Sequence, residues 1–137
     1  MPYQLIDHTA DIGIKASGET LEELFETAAE AMFDQIVDTR RLKGLGKTRL
    51  EVTGIDREDL MISWLRELLF LWNGREMLVK RAAIKAISET ALSAVVIYDP
   101  YDPQTHEILT DIKAVTYHGI RVEKSEAGWE STVIFDV

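Results

Sequence analysis

The sequence predicts an α+β domain in two layers, with two amphipathic helices packed on a largely antiparallel sheet. Two windows of helical apolar period, each preceded by a capping signal, supply the helices. From Val79 onward the chain is dense in β-branched and apolar residues, and turn material separates the runs. With 137 residues, the chain fits a single domain over 1–137 able to bury roughly two-thirds of its unfolded surface.

Tyr3 to Ile6 and Ile12 to Ala16 read as short strands around the polar turn Asp7-His8-Thr9, since Ile12, Ile14 and Ala16 alternate with Gly13, Lys15 and Ser17. Thr20-Leu21-Glu22-Glu23 has capping-box spacing and starts the first helix. At 100° per residue, Leu21, Leu24, Phe25, Ala28, Ala29, Ala31 and Met32 share one arc, and Glu22, Glu23, Glu26 and Glu30 fill the other. Thr48 to Thr53 resembles a strand, which Gly54 breaks before a capping Asp56. The second helix is expected from about Arg57 to Trp72, with Asn73-Gly74 suited to the left-handed closing turn. Its apolar arc holds Leu60, Met61, Trp64, Leu65, Leu68, Leu71 and Trp72, whereas Phe70 falls among polar residues, to pack under a loop or meet a partner. Strands follow at Ala83 to Ser88, Leu92 to Tyr98, Ile112 to Val122 and Ser131 to Val137. Asp99-Pro100-Tyr101-Asp102-Pro103 interrupts them, and Ser125-Glu126-Ala127-Gly128 suits a hairpin.

Composition removes several function classes. The 24 acidic and 15 basic residues give a net charge of −9, which disfavours unaided binding to a phosphate backbone. The chain has no cysteine, so thiolate nucleophiles, Cys-ligated zinc and iron–sulfur clusters are excluded and any metal must be held by oxygen or histidine. No apolar run reaches the ~18 residues of a membrane-spanning helix. The opening MPYQLIDHTADIG does not read as a secretory signal, so a cytoplasmic protein is expected.

Gly44-Leu45-Gly46-Lys47-Thr48 approaches a phosphate loop, but it lacks the spacing between glycines and a preceding buried strand, so it reads as a basic turn. His8, His106 and His118 lie far apart without the i, i+4 spacing of a zinc pair, and no serine sits in a Gly-flanked elbow. The carboxylates are more informative. Asp7 and Asp11 bracket a short segment between strands, where side chains can converge on an ion. In the last strand, alternation puts Asp136 with Ile134 and Thr132, opposite Val133, Phe135 and Val137. Either the strand has reached solvent there or the carboxylate has a task. Should Asp11 and Asp136 meet, their repulsion, about 1 kcal/mol at 4 Å in water, would become binding with a divalent ion, and oxygen ligands favour calcium or magnesium over zinc.

These residues carry a resemblance to the archease family. Asp7-His8-Thr9-Ala10-Asp11-Ile12 resembles its DHTAD signature, and the stretch from Leu24-Phe25-Glu26 to Ala31-Met32-Phe33 is similar to its first helix. Trp64 to Phe70 resembles its WLNELLY segment, Ile112 to Gly119 its KAVTYHG strand, and Val133 to Val137 its VIFDV end. The match spans nearly the whole chain in family order.

The resemblance implies an archease-like fold and a non-catalytic helper of the tRNA-splicing RNA ligase. Such a helper promotes guanylylation of the ligase histidine and restores the enzyme between turnovers, while RNA is contacted mainly through the ligase. It also implies a divalent-metal site, with calcium the ion, at Asp11, Asp136 and Val137, the last offering only main-chain oxygens. Asp38 matches a further acidic position of the family. The resemblance gives the Glu22, Glu26 and Glu30 stripe a second reading besides a solvated face, as a surface meeting a basic ligase. It also leaves Lys113 either an exposed strand position or a group near the nucleotide or the metal carboxylates. A chaperone-like modulator of a tRNA methyltransferase or another tRNA-processing enzyme is the alternative, and a stand-alone metal-dependent hydrolase lacks a nameable base or nucleophile.

Overall fold

The computed structural model describes residues 2–8 and 11–137. Its elements are β1 (Tyr3–His8), β2 (Asp11–Gly18), α1 (Leu21–Ile36), a 3-10 turn (Thr39–Arg41), β3 (Gly46–Thr53), α2 (Arg57–Arg75), β4 (Met77–Ile87), β5 (Ala91–Pro100), β6 (Ala114–Ser125) and β7 (Gly128–Asp136). All strand pairs are antiparallel and divide into two sheets, ordered β1-β2-β7-β6 and β3-β5-β4. The α+β class is therefore as expected, with the strands shared between two sheets. Each helix touches both: α1 packs on β2 and β4, and α2 on β6, β3 and β4.

Local chemistry sets the helices. Thr20 accepts from the Glu23 amide at 3.1 Å, and the Glu23 carboxylate accepts from the Glu19 amide at 2.9 Å, so the capping exchange closes one residue before the cap. Leu24, Phe25, Ala28, Ala29, Ala31 and Met32 are buried, as the periodicity requires, and Phe33 and Ile36 join them. Asp56 caps α2 through the Asp59 amide at 2.8 Å. The Trp64 indole donates to the Phe25 carbonyl at 3.0 Å, tying α2 to α1 inside the core.

Several boundaries differ from the sequence reading: β3, β5 and β7 extend a few residues beyond it and β6 is shifted to Ala114–Ser125. The helix α2 passes through Asn73-Gly74 and closes at Glu76, whose φ of 54° is the left-handed cap. Phe70 lies against that last turn, where a Cβ on Gly74 would come within 2.6 Å of its ring, and the Arg75 guanidinium sits 5.8 Å from the ring centre. It packs under no loop and stays half exposed. The strand β4 begins at Met77, six residues before the predicted start, because a register irregularity at Lys80 breaks the alternation. Asp7 and His8 belong to β1, while the Thr9 end of the predicted turn lies outside the described residues. The hairpin at Ser125–Gly128 joins β6 to β7 as expected.

Residues 101–113 carry the chain from the second sheet to the first. Tyr101 donates its amide to the Glu76 carbonyl at 2.8 Å, and Leu109 donates to the Ile36 carbonyl at 2.7 Å. Asn73 bonds the Ile112 carbonyl at 3.3 Å, and the Tyr101 ring stands edge-on to Trp72 at 5.2 Å. The strap thus crosses the C-terminal ends of both helices and delivers Lys113 to the end of β7.

Candidate metal site at the strand ends

The pairing of β2 with β7 sets Asp11 directly opposite Asp136, Ile12 opposite Phe135 and Ile14 opposite Val133. Directly opposite residues of an antiparallel pair share a face. Ile14, Val133 and Phe135 are buried, so that face of the sheet turns to the helices. The two aspartates are therefore neighbours on the other face, where Cβ atoms of such pairs lie roughly 4.5–5.5 Å apart. Asp11 is half buried and Asp136 exposed. The neighbouring row, Ile6, Gly13, Ile134 and Thr116, is largely apolar, and a Cβ on Gly13 would come within 2.7 Å of Ile134 and 3.0 Å of Ile6. Those isoleucines close over the glycine and border the carboxylates with aliphatic surface.

Among the described residues the ion pairs are Arg40–Asp38, His106–Asp99 and Arg121–Glu123, and none of the cations described there pairs with Asp11 or Asp136. Like charges opposite one another destabilise a sheet, and a cation removes that cost. The pair fits a hard divalent ion in this respect. It does not complete a coordination shell, since no group of three or more acidic or histidine side chains suited to a metal occurs among the described residues. An ion held there would draw further ligands from main-chain oxygens, of which half-buried Val137 offers the next in line, and from water. The Asp136 carbonyl is already engaged by the Lys113 amide at 2.8 Å, while Lys113 itself is exposed just before β6. His8 holds the register position across from Asp11 on β1.

Asp38 stands apart from this row. Arg40 donates from Nε to its carboxylate at 3.0 Å, and this bond holds the carboxyl below its ordinary range. Asp38 lines a cleft of about 660 Å³ with Tyr3, Asp34, Thr39 and His106, and neither Asp11 nor Asp136 borders it. Within the cleft Asp34 accepts from the Tyr3 hydroxyl at 2.9 Å and from the Thr39 hydroxyl. Burial, then the bond to Asp34, pushes the Tyr3 hydroxyl up to about 12. The glutamate stripe is not purely a solvated face either, because Glu26 accepts from the Ile84 amide at 2.8 Å and covers the free edge of β4.

Sequence reasoning missed a buried acid. Asp99, 2% exposed, accepts from the amides of Lys43 at 2.8 Å, Gly44 at 2.7 Å and Leu45 at 3.0 Å. Gly44 has φ 78°, so the basic turn is an anion nest, filled by the chain's own carboxylate. Burial pushes the Asp99 carboxyl up, but the three amide bonds and the nearby His106 outweigh it and leave it below its ordinary value. His106 accepts the Asp102 amide at Nδ1, which leaves its proton on Nε2, 3.8 Å from Asp99. The only available signal was an aspartate at a strand end, beside proline and far from the glycines in sequence.

The fold as a whole is shared with known proteins. A solution structure of a Methanobacterium thermoautotrophicum protein superposes with a TM-score of 0.85 at 32% identity, covering 99% of both chains. The crystal structure of a Thermotoga maritima archease, described as a possible chaperone, gives 0.67 at 25% identity over 96% of this chain and 94% of that one. The protein archease of Methanosarcina mazei is 38% identical over 98% of this chain and 95% of its own length, and that of Pyrococcus furiosus 36% identical over 98% of each. The sequence pattern of the Archease protein family matches residues 3–137. With a pattern covering all but the first two residues and relatives above 30% identity along nearly their whole length, this chain belongs to the archease family.

Proposed function

We propose that the chain is a non-catalytic activator of the tRNA-splicing RNA ligase, promoting GMP transfer to the ligase histidine between turnovers in a divalent-ion-dependent way. Family membership supports an accessory role, and the observation that carries the metal dependence is the register that sets Asp11 opposite Asp136. In this reading Asp11, Asp136 and a main-chain oxygen of Val137 hold the ion, with calcium the expected occupant of an all-oxygen site. Bound there, the ion would neutralise the acidic row and fix the ends of β2 and β7 relative to each other. The chain's own part is to present that row at one end of the sheet, with the strap anchored behind it through Lys113.

The test is guanylylation of purified ligase with and without this protein across a calcium titration. Acceleration that requires both protein and ion is expected, and identical kinetics without the protein would refute the role. A second reading is favoured by the description of the Thermotoga maritima relative as a possible chaperone: a modulator of a tRNA methyltransferase or another tRNA-processing enzyme. Affinity capture from a native lysate separates the two, since ligase retention supports the first and methyltransferase retention the second.

A further inference from the structure

The net charge of −9 conceals a segregation. Residues 39–50 and 77–88 contain eight basic residues and no acidic one, although the whole chain has 24 acids and 15 bases. Between them in space, β5 contributes 91–98, which carries no charge at all. The order β3-β5-β4 joins these three stretches into one sheet. Register places Lys47 and Arg81 on either side of Ile97, and Arg49 beside Val95 with Ala83 beyond. Leu92, Ala94 and Val96 of β5 are buried, so Val95, Ile97 and the cations beside them occupy the outer face. Strand spacing puts Lys47 and Arg81 about 10 Å apart, with Arg49 about 7 Å along from Lys47.

Arg41, Lys43, Lys47, Arg49, Arg81 and Lys85 are all exposed, and none is in an ion pair among the described residues. Arg40 and Lys80 are engaged internally, the first by Asp38 and the second by the Leu42 carbonyl at 2.6 Å. Glu30 and Asp34 share a crevice with Arg81 without reaching pairing distance, and Glu51 closes the basic field at the far end of β3. Charges on edge strands discourage edge-to-edge aggregation, but acids serve that purpose equally, so edge protection does not explain their absence here.

We infer that this outer face is a docking surface for the phosphodiester backbone of RNA. An acidic protein is the weaker fit. The face has no aromatic anchor, its aliphatic floor is small and half buried, and lysine is depleted from protein interface cores. A phosphate backbone requires only unpaired cations and the counterions they displace. The absence of aromatic side chains also means that bases are not stacked or read, so binding is independent of sequence. At physiological salt the Debye length is about 8 Å, and the acidic surfaces elsewhere are screened from a strand lying on this face. The choice of RNA as the polymer rests on the proposed role beside an RNA-joining enzyme.

The test is fluorescence anisotropy with a labelled 20-nucleotide RNA at 50 mM salt, without ligase, so that its outcome is separate from that of the guanylylation assay. Wild-type protein should bind, with log K falling against log salt at a slope of about −3.5 to −4 for five or six contacts. The triple variant Lys47→Glu, Arg49→Glu, Arg81→Glu should lose at least about tenfold in affinity and show a shallower slope. The milder Lys47→Gln, Arg81→Gln variant, with its fold checked by circular dichroism, should fall between them. No binding by the wild type at 50 mM salt, unchanged binding by the folded double variant, or preference for polyglutamate over RNA would each overturn the inference.

Discussion

Replacing Asp99 by Ala tests how the second sheet holds the loop before β3 and the start of the strap. The carboxylate accepts three amide bonds of 2.7–3.0 Å and faces the protonated Nε2 of His106. Hydrogen bonds to a charged group contribute about 1.5–3 kcal/mol each when the stranded partner stays buried. Here all three bonds are only partly buried, so water can reach the freed amides, and about 1 kcal/mol per bond is the better figure. The variant should therefore lose about 3 kcal/mol, a fall in Tm of roughly 10 °C for a chain of this size. Urea unfolding at pH 7 measures it, with an unchanged slope showing that the midpoint shift reports stability. The same carboxyl sets a pH signature. Its folded pKa lies below the unfolded value, so the contribution is complete above roughly pH 4 and is lost as pH falls through the folded pKa. The gap between wild type and variant should close in that acid window. A loss under 1 kcal/mol at pH 7, or a gap constant down to pH 2, would refute the reasoning.

Further predictions concern the frame around the site. Trp64→Phe removes the indole donor and leaves a smaller ring in a fully buried site, while the Phe25 carbonyl keeps its helical bond, and calorimetry should show a loss of about 1–3 kcal/mol. Gly128→Ala should cost about 1–3 kcal/mol, because φ is 129° and the new Cβ would collide with the Gly18 carbonyl; thermal melts check it. Glu26→Ala should uncover the Ile84 amide on the free edge of β4, and hydrogen exchange at Ile84 should accelerate while the β5 amides stay protected.

Both helices were legible because their burial is periodic and their caps are local, so Thr20, Asp56 and the buried arcs are where the sequence pattern puts them. The end of α2 was not. Asn73-Gly74 suits a left-handed turn, yet packing of Leu71 and Trp72 carries the helix on to Glu76. The start of β4 was hidden by the irregularity at Lys80, whose extra residue breaks the alternation that marks a strand. Sheet order leaves no local trace, since β2 and β7 come from opposite ends of the chain. For the same reason alternation could place Asp136 on a face with Ile134, while only register could set it against Asp11. The Gly44 turn shows the converse. Its spacing correctly argued against a nucleotide loop, but the chemistry of adjacent amides still gathers an anion, supplied by Asp99 from elsewhere in the chain.

Calorimetric titration of calcium into wild type, Asp11→Asn and Asp136→Asn tests the proposed site most directly. The carboxylate pair predicts one calcium bound by the wild type and none by either variant. In metal-free buffer both variants should be as stable as the wild type or up to about 1 kcal/mol more so, because each removes a like-charge pair. Calcium binding unchanged by both substitutions, or none by the wild type at millimolar calcium, would contradict it.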